Sequence, residues 1–200
     1  RQQRSVPERR WKISERMSHH MAQQSSNEIT KALRNVRQTR QYTGGDVSDE
    51  IVNELLEVAR WTGSSRNTQP WHFIAVTDKD ILTQLSKLRT PINWVSEASL
   101  GIAIVLDGDA DLSEAYDEGR VTERLMIAAQ ALGLHSGVAW YGDDALQAEA
   151  KRILNIPEKN TARSLVAFGY ATTSKDPRPN PAQGGRHPLS EVASFNRMGD

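Results

Sequence analysis

The sequence predicts a layered fold of helices and strands, α+β or α/β, built around one sheet. Three observations predict it. Amphipathic helical stretches alternate with short apolar runs from residue 29 to residue 171. The 200 residues suit one domain with a core of its own. Charge is balanced, with 25 Lys+Arg against 25 Asp+Glu, and hydrophobic content is 38%, on the polar side of ordinary globular chains.

The elements follow in order. Ile29, Leu33 and Val36 recur at helical spacing, ahead of the polar stretch Arg37–Gly45. Ser48 caps the next helix, whose first turn carries Asp49 and Glu50 against the dipole. Ile51, Leu55, Val58 and Ala59 make its apolar face, and Gly63 falls just past its end. His72–Thr77 is a buried strand. Ile81, Leu82, Leu85 and Leu88 form a short helix that Pro91 breaks. Leu100–Leu106 (LGIAIVL) is a second buried strand, closed by Asp107-Gly108. Glu114–Leu134 is the strongest helix, with Val121, Leu125, Ala128, Ala129 and Leu132 as its stripe and Gly133 at the left-handed C′ position. Ser136–Tyr141 is a third strand, Leu146–Leu154 a helix, and Ser164–Ala171 a fourth strand.

Both ends differ from this middle. Residues 1–27 carry six basic side chains against two acidic ones, few aliphatics and many Gln and Ser. They are expected to form a flexible arm, in part added or upstream-translated sequence, since Met17 and Met21 stand before the periodic part. Residues 28–200 are expected to be a single domain. The tail from Thr172 is rich in Pro, Gly and Asn and has no core of its own, so a second copy of the chain is the expected support.

Composition and motifs exclude much. Without Cys there are no disulfides, thiolate metal sites or Cys nucleophile, and a reducing compartment, the cytoplasm, is expected. No apolar run approaches the ~20 residues of a membrane span, and no folded basic face indicates nucleic acid. G-x-G-x-x-G after a strand, the P-loop, G-x-S-x-G and H-E-x-x-H are all missing, and no metal site is expected. Glu114, Asp117, Glu118 and Glu123 are expected on a solvated helix face or as dipole partners.

Two constellations remain. In Arg37–Tyr42 (RQTRQY), Arg37 and Arg40 lie on one side of a helical end, either as a phosphate fork or as a solvated basic turn. Thr62–Phe73 (TGSSRNTQPWHF) joins a helix to a strand. Its Ser64, Asn67 and Gln69 either meet the edge of a polar heterocycle or satisfy their own loop. Trp94 is either a stacking lid or a core side chain.

Ser64–Phe73 (SSRNTQPWHF) closely resembles the signature loop of the FMN-dependent nitroreductase family, P-S-x-x-N-x-Q-P-W-x-F, with Gly63 in place of the Pro. The Arg turn before Tyr42, Ala129–Trp140 (AQALGLHSGVAW), Leu165–Ala171 (LVAFGYA) and Arg186–Leu189 (RHPL) resemble other family segments, in order, from about Ile29 to Phe195. The resemblance implies an α+β fold: a central, mostly antiparallel sheet flanked by helices, in an intertwined homodimer whose C-terminal tail crosses to the partner. It implies FMN, with NADH or NADPH as electron donor, and ping-pong reduction of nitroaromatics or quinones through the flavin. A specialised branch (ene-reductase, dehalogenase or flavin-fragmenting enzyme) and a non-catalytic FMN-binding redox sensor are the alternatives. No side chain is implied as catalytic. By position, Arg37 and Arg40 would hold the FMN phosphate with Arg186. Gln38 stands where the family often has Ser, and Val36 where it has a further Arg. Ser64, Ser65 and Asn67 would line the flavin and ribityl chain, and Gln69 the pyrimidine edge. The backbone of Val138, Ala139 and Trp140 would approach the ring, with Val138 where a Trp is usual, and Trp94 would cover the substrate.

Overall fold

A computed structural model describes residues 28–171 and 187–198. The basic arm expected at residues 1–27, and Arg186, lie outside the described residues. The first helix, α1, covers residues 28–35. Helix α2 (Asp49–Arg60) starts where the sequence places it, with Ser48 Oγ accepting the Ile51 N–H. Strand β1 (Trp71–Val76) follows, then α3 (Lys79–Ser86), capped by Asp78. A 3₁₀ run over Thr90–Glu97 leads into β2 (Leu100–Leu106). Helix α4 (Asp111–Ala131), β3 (His135–Trp140), α5 (Asp144–Ile153), β4 (Ser164–Gly169) and the short α6 (Leu189–Val192) complete the described elements. None of the described helices is long and apolar enough to cross a membrane.

The four strands form one antiparallel sheet in the order β1-β2-β4-β3. Alternation along β2 explains why all seven of its residues are apolar or Gly and buried. Leu100, Ile102, Ile104 and Leu106 pack with Leu55 and Ala59 of α2 and with Val121, Leu125 and Ala129 of α4. Ala103, facing the other way, packs with Leu82 and Leu85 of α3, with Val95, and with Ala150 of α5. The sheet is therefore covered on both faces, α2 and α4 on one and α3, the 3₁₀ run and α5 on the other. Strands β2 and β4 are central; β1 and β3 are the edges.

Two expectations are corrected. Trp94 is no lid. It is 7% exposed, packed in the core with Val95 and Ala139, and its indole N–H donates to Pro91 O at 2.9 Å. Helix α3 already ends at Ser86, and Pro91 instead stands in the first turn of the 3₁₀ run that carries Trp94. Nor are Asp117 and Glu118 solvated: they are 2% and 8% exposed, whereas Glu114, also buried, sits in the first turn as a dipole partner. Helix α4 has no side-chain cap at Ala110. Glu114 instead accepts the N–H groups of Gly108, Asp109 and Ala110 at 3.1, 2.9 and 3.1 Å. Glu118 accepts from Ser164 Oγ at 2.7 Å and from Arg163 Nη1 at 3.0 Å.

Candidate functional site

The Arg37–Tyr42 segment leaves α1 and lies along the outer edge of β3. Thr39 N–H donates to Ser136 O at 2.7 Å, Gln38 bridges Ser136 in parallel, and Gln38 Oε1 accepts the Val138 N–H at 3.3 Å. Gly137 permits this approach: a Cβ there would lie 2.5 Å from Thr39 O and 3.0 Å from the Trp94 ring. Tyr42 anchors the far side. Its hydroxyl sits 3.0 Å from Thr39 O and 3.1 Å from Ala167 O, and its ring lies against Gly169. Burial pushes the Tyr42 hydroxyl well above its ordinary pKa, against the opposing pull of Arg40, so it remains a neutral donor.

The two arginines part company here. Arg37 is exposed, and its Nη1 donates to Arg34 O and Val36 O, both at 2.7 Å, closing the C-terminal end of α1. Arg40 turns inward. Its guanidinium carbon stands 6.0 Å from the Trp94 ring centroid, and Trp94 is itself tilted against Tyr42 at 6.2 Å. Among the described residues the buried Arg40 Nε has no hydrogen-bond partner. An unpaired buried donor on a cation is costly in isolation, and an anion answers it. A cavity of about 310 Å³ opens beside this corner, lined by Arg37, Thr39, Gln130, His135 and Ser136 among others. His135 Nδ1 is likewise buried and without a partner there. Farther along β3, Ala139 is buried and Trp140 exposed, with the Arg89 guanidinium 5.3 Å from the Trp140 ring centroid.

The Thr62–Phe73 loop stands at the other edge. Ser65–Asn67 form a single 3₁₀ turn, and Ser64 Oγ accepts the Gln69 N–H at 2.8 Å. Arg66, Asn67 and Gln69 adopt φ of 53°, 57° and 50°. Three left-handed non-glycine residues within four positions store roughly 1–3 kcal/mol each, and such strain concentrates where a loop is shaped for a ligand. Their side chains are exposed, and the side-chain amides of Asn67 and Gln69 bond to nothing among the described residues. Gln69 also borders a groove of about 810 Å³ between α2 and β1, with Trp71, His72, Phe73 and Glu57. Hydrogen bonds from Arg60 and then Trp61 hold the Glu57 carboxyl down to about 2, so that side of the groove stays anionic.

The loop enters the sheet at Trp71, opposite Leu106, whereas the arginine turn meets β3 at Ser136, opposite Phe168. These are diagonally opposed corners. Three strand spacings separate them across the sheet, about 14 Å at ~4.8 Å each, before any distance along the strands. The structure thus sets the Arg37–Arg40 segment along β3 with Gln38 on Val138, while Ala139 and Trp140 lie farther along that strand, Trp140 against Arg89. It brings Ser64, Ser65, Asn67 and Gln69 together elsewhere, and Trp94 supports the first group from beneath. Asp117 and Arg120, which hold the loop from α4, are functional neighbours that sequence reasoning missed.

Known proteins are similar to this chain over most of its length. The model of the nitroreductase family matches residues 33–105. A protein of Archaeoglobus fulgidus named NADH dehydrogenase/NAD(P)H nitroreductase is 33% identical over 159 residues, 74% of this chain and 88% of its own. An FMN-dependent nitroreductase structure from Clostridium difficile superposes with a TM-score of 0.72 at 25% identity, covering 84% of this chain and 98% of that one. A nitroreductase of Desulfovibrio desulfuricans, solved in complex with FMN, shares the fold at a TM-score of 0.69 and 24% identity, over 82% of this chain and 94% of its own.

Proposed function

The chain belongs to the nitroreductase family, and from that premise we propose that it is an FMN-dependent NAD(P)H oxidoreductase acting as a homodimer on nitroaromatics or quinones. One observation carries the reading: the two polar groups sit at opposed corners of one sheet. One ligand can use both only if a second copy brings its loop to this chain's arginine turn. Exposed apolar side chains support the dimer. Trp61, Leu112 and Tyr116 are exposed around α2 and α4, and Leu189, Val192 and Phe195 are exposed in the tail. We propose that the tail crosses to the partner.

The residues present fit the cofactor. Arg40 offers a phosphate a buried N–H that has no partner among the described residues, and we propose that Arg37, from the other side of the turn, and Arg186, outside the described residues, add to it. The partner's loop supplies hydroxyls and amides, Ser64, Ser65 and Asn67 to the ribityl chain and Gln69 to the pyrimidine edge. Gln38 and the Val138–Trp140 strip border the ring. FMN, when bound, would supply two-electron transfer between NAD(P)H and the acceptor. The chain's own residues bind, orient and exclude water. We propose that donor and acceptor are used in turn, with ping-pong kinetics.

The purified chain is expected to be yellow, or to become so on FMN titration. It should oxidise NADH or NADPH when a nitroarene or quinone is supplied, with parallel double-reciprocal lines. A colourless protein that takes up no FMN overturns the proposal.

A further inference from the structure

Helix α4 grips the strained loop through one buried carboxylate. Asp117 is almost fully buried, and both of its oxygens are engaged. Oδ2 accepts the Ser65 N–H at 3.3 Å, and Oδ1 pairs with Arg120 Nη1 at 3.1 Å. The same Arg120 nitrogen reaches Gly63 O at 3.3 Å. One turn farther along, Arg124 Nη1 donates to Trp61 O at 2.9 Å. The Asp117–Arg120 pair therefore clasps the backbone on both sides of Ser64. Ser64 Oγ in turn holds the Gln69 N–H, ahead of Pro70. Left-handed residues persist only where their surroundings over-determine them, and a residue before proline ordinarily prefers extended backbone. Asn67 and Thr68 bond back to Ser64 O and Ser65 O, and the clasp fixes the Ser64–Ser65 backbone that accepts those bonds. The same helix lines the opposite corner with Met126 and Gln130, so it also fixes where the two corners stand relative to each other.

We infer that Asp117 is a positioning residue for FMN: through Ser65 and Ser64 it presets the loop that presents the Asn67 and Gln69 amides. This rests on the functional reading above for the identity of the ligand, but the preset itself is a property of the free chain.

The test compares Asp117→Ala, Asp117→Asn and Glu114→Ala. Glu114 is equally buried on the same helix but holds residues 108–110 instead. Amide exchange at Ser65 and Gln69 is followed in flavin-free protein, and FMN affinity by titration. Asp117→Ala is expected to accelerate exchange at both amides about tenfold or more. It should also raise the FMN dissociation constant about tenfold. Asp117→Asn should recover part of both, because its amide oxygen still accepts from Ser65. Glu114→Ala should lower thermal stability while leaving FMN affinity within about twofold. If Asp117→Ala leaves exchange at Ser65 and Gln69 unchanged, or shifts FMN affinity no more than Glu114→Ala does, the inference is overturned. A wild-type chain that binds no FMN overturns the functional reading instead, and the exchange result still decides the clasp.

Discussion

Replacing Arg40 by Ala is expected to weaken FMN binding about ten- to a hundredfold, since a hydrogen bond to a charged group contributes ~1.5–3 kcal/mol. The site geometry concentrates the effect on this residue. Arg40 has a buried Nε without a partner among the described residues and a guanidinium held against Trp94, so the donor is oriented before the anion arrives. Lysine should not restore binding, because a point charge neither forks nor stacks. Arg37 is different: its Nη1 already closes the end of α1 on two carbonyls. Arg37→Ala should therefore cost only a few-fold, about 1 kcal/mol or less. Titration of apoprotein with FMN checks both. An unchanged constant for Arg40→Ala, or a larger loss for Arg37→Ala, removes the phosphate assignment.

The largest expected loss of stability comes from Glu118→Ala. Glu118 joins α4 to β4 through Ser164 Oγ and Arg163, and Arg163 also pairs with Asp111. Burial works against the Arg163 charge, but the hydrogen bonds it donates to Asp111 and Glu118 outweigh it and raise the pKa. Removing Glu118 leaves a half-buried cation and a buried hydroxyl short of a partner. The cost is about 3 kcal/mol, the low end for breaking such a pair, because exposed Asp111 still serves Arg163. For a chain of this size that lowers Tm by roughly 6–12 °C. Glu118→Gln keeps an acceptor for Ser164 and should lose about half as much. Denaturant melts of the three proteins check this. A midpoint for Glu118→Ala equal to wild type contradicts it.

The legible parts of the fold were those that local pattern decides. Leu100–Leu106 has the bounds the sequence implied, because a strand covered on both faces is apolar at every position. Ser48 marked a helix start through its side-chain acceptor, and Gly133 a helix end through its left-handed backbone. Strand order was not legible: β4 pairs between β2 and β3 through contacts distant in sequence. The arginine turn was legible as chemistry but not as geometry. A three-residue spacing puts Arg37 and Arg40 on one side of a helix, but α1 has ended by residue 36. Along the β3 edge the same spacing sends them to opposite sides, one to carbonyls and one onto Trp94. Asp117 was hidden for a related reason. Carboxylates at 114, 117 and 118 look like a solvated ladder until the fold gives each its own partner, Asp117 taking a loop fifty residues upstream, Glu114 the turn at 108–110 and Glu118 the start of β4.

The central claim is that a flavin site is assembled from the arginine turn of one protomer and the amide loop of its partner. Mixed dimers test it most directly. One protomer carries Arg40→Ala; the other carries Asn67→Gly and Gln69→Gly, which remove the amides while leaving the left-handed backbone accessible. Each variant alone should bind FMN poorly. A site shared between protomers predicts that the mixed dimer regains one tight FMN and about half the wild-type NAD(P)H oxidation, because one of its two sites is then intact. If the mixed dimer binds FMN no better than either parent, each site lies within a single chain and the account is wrong.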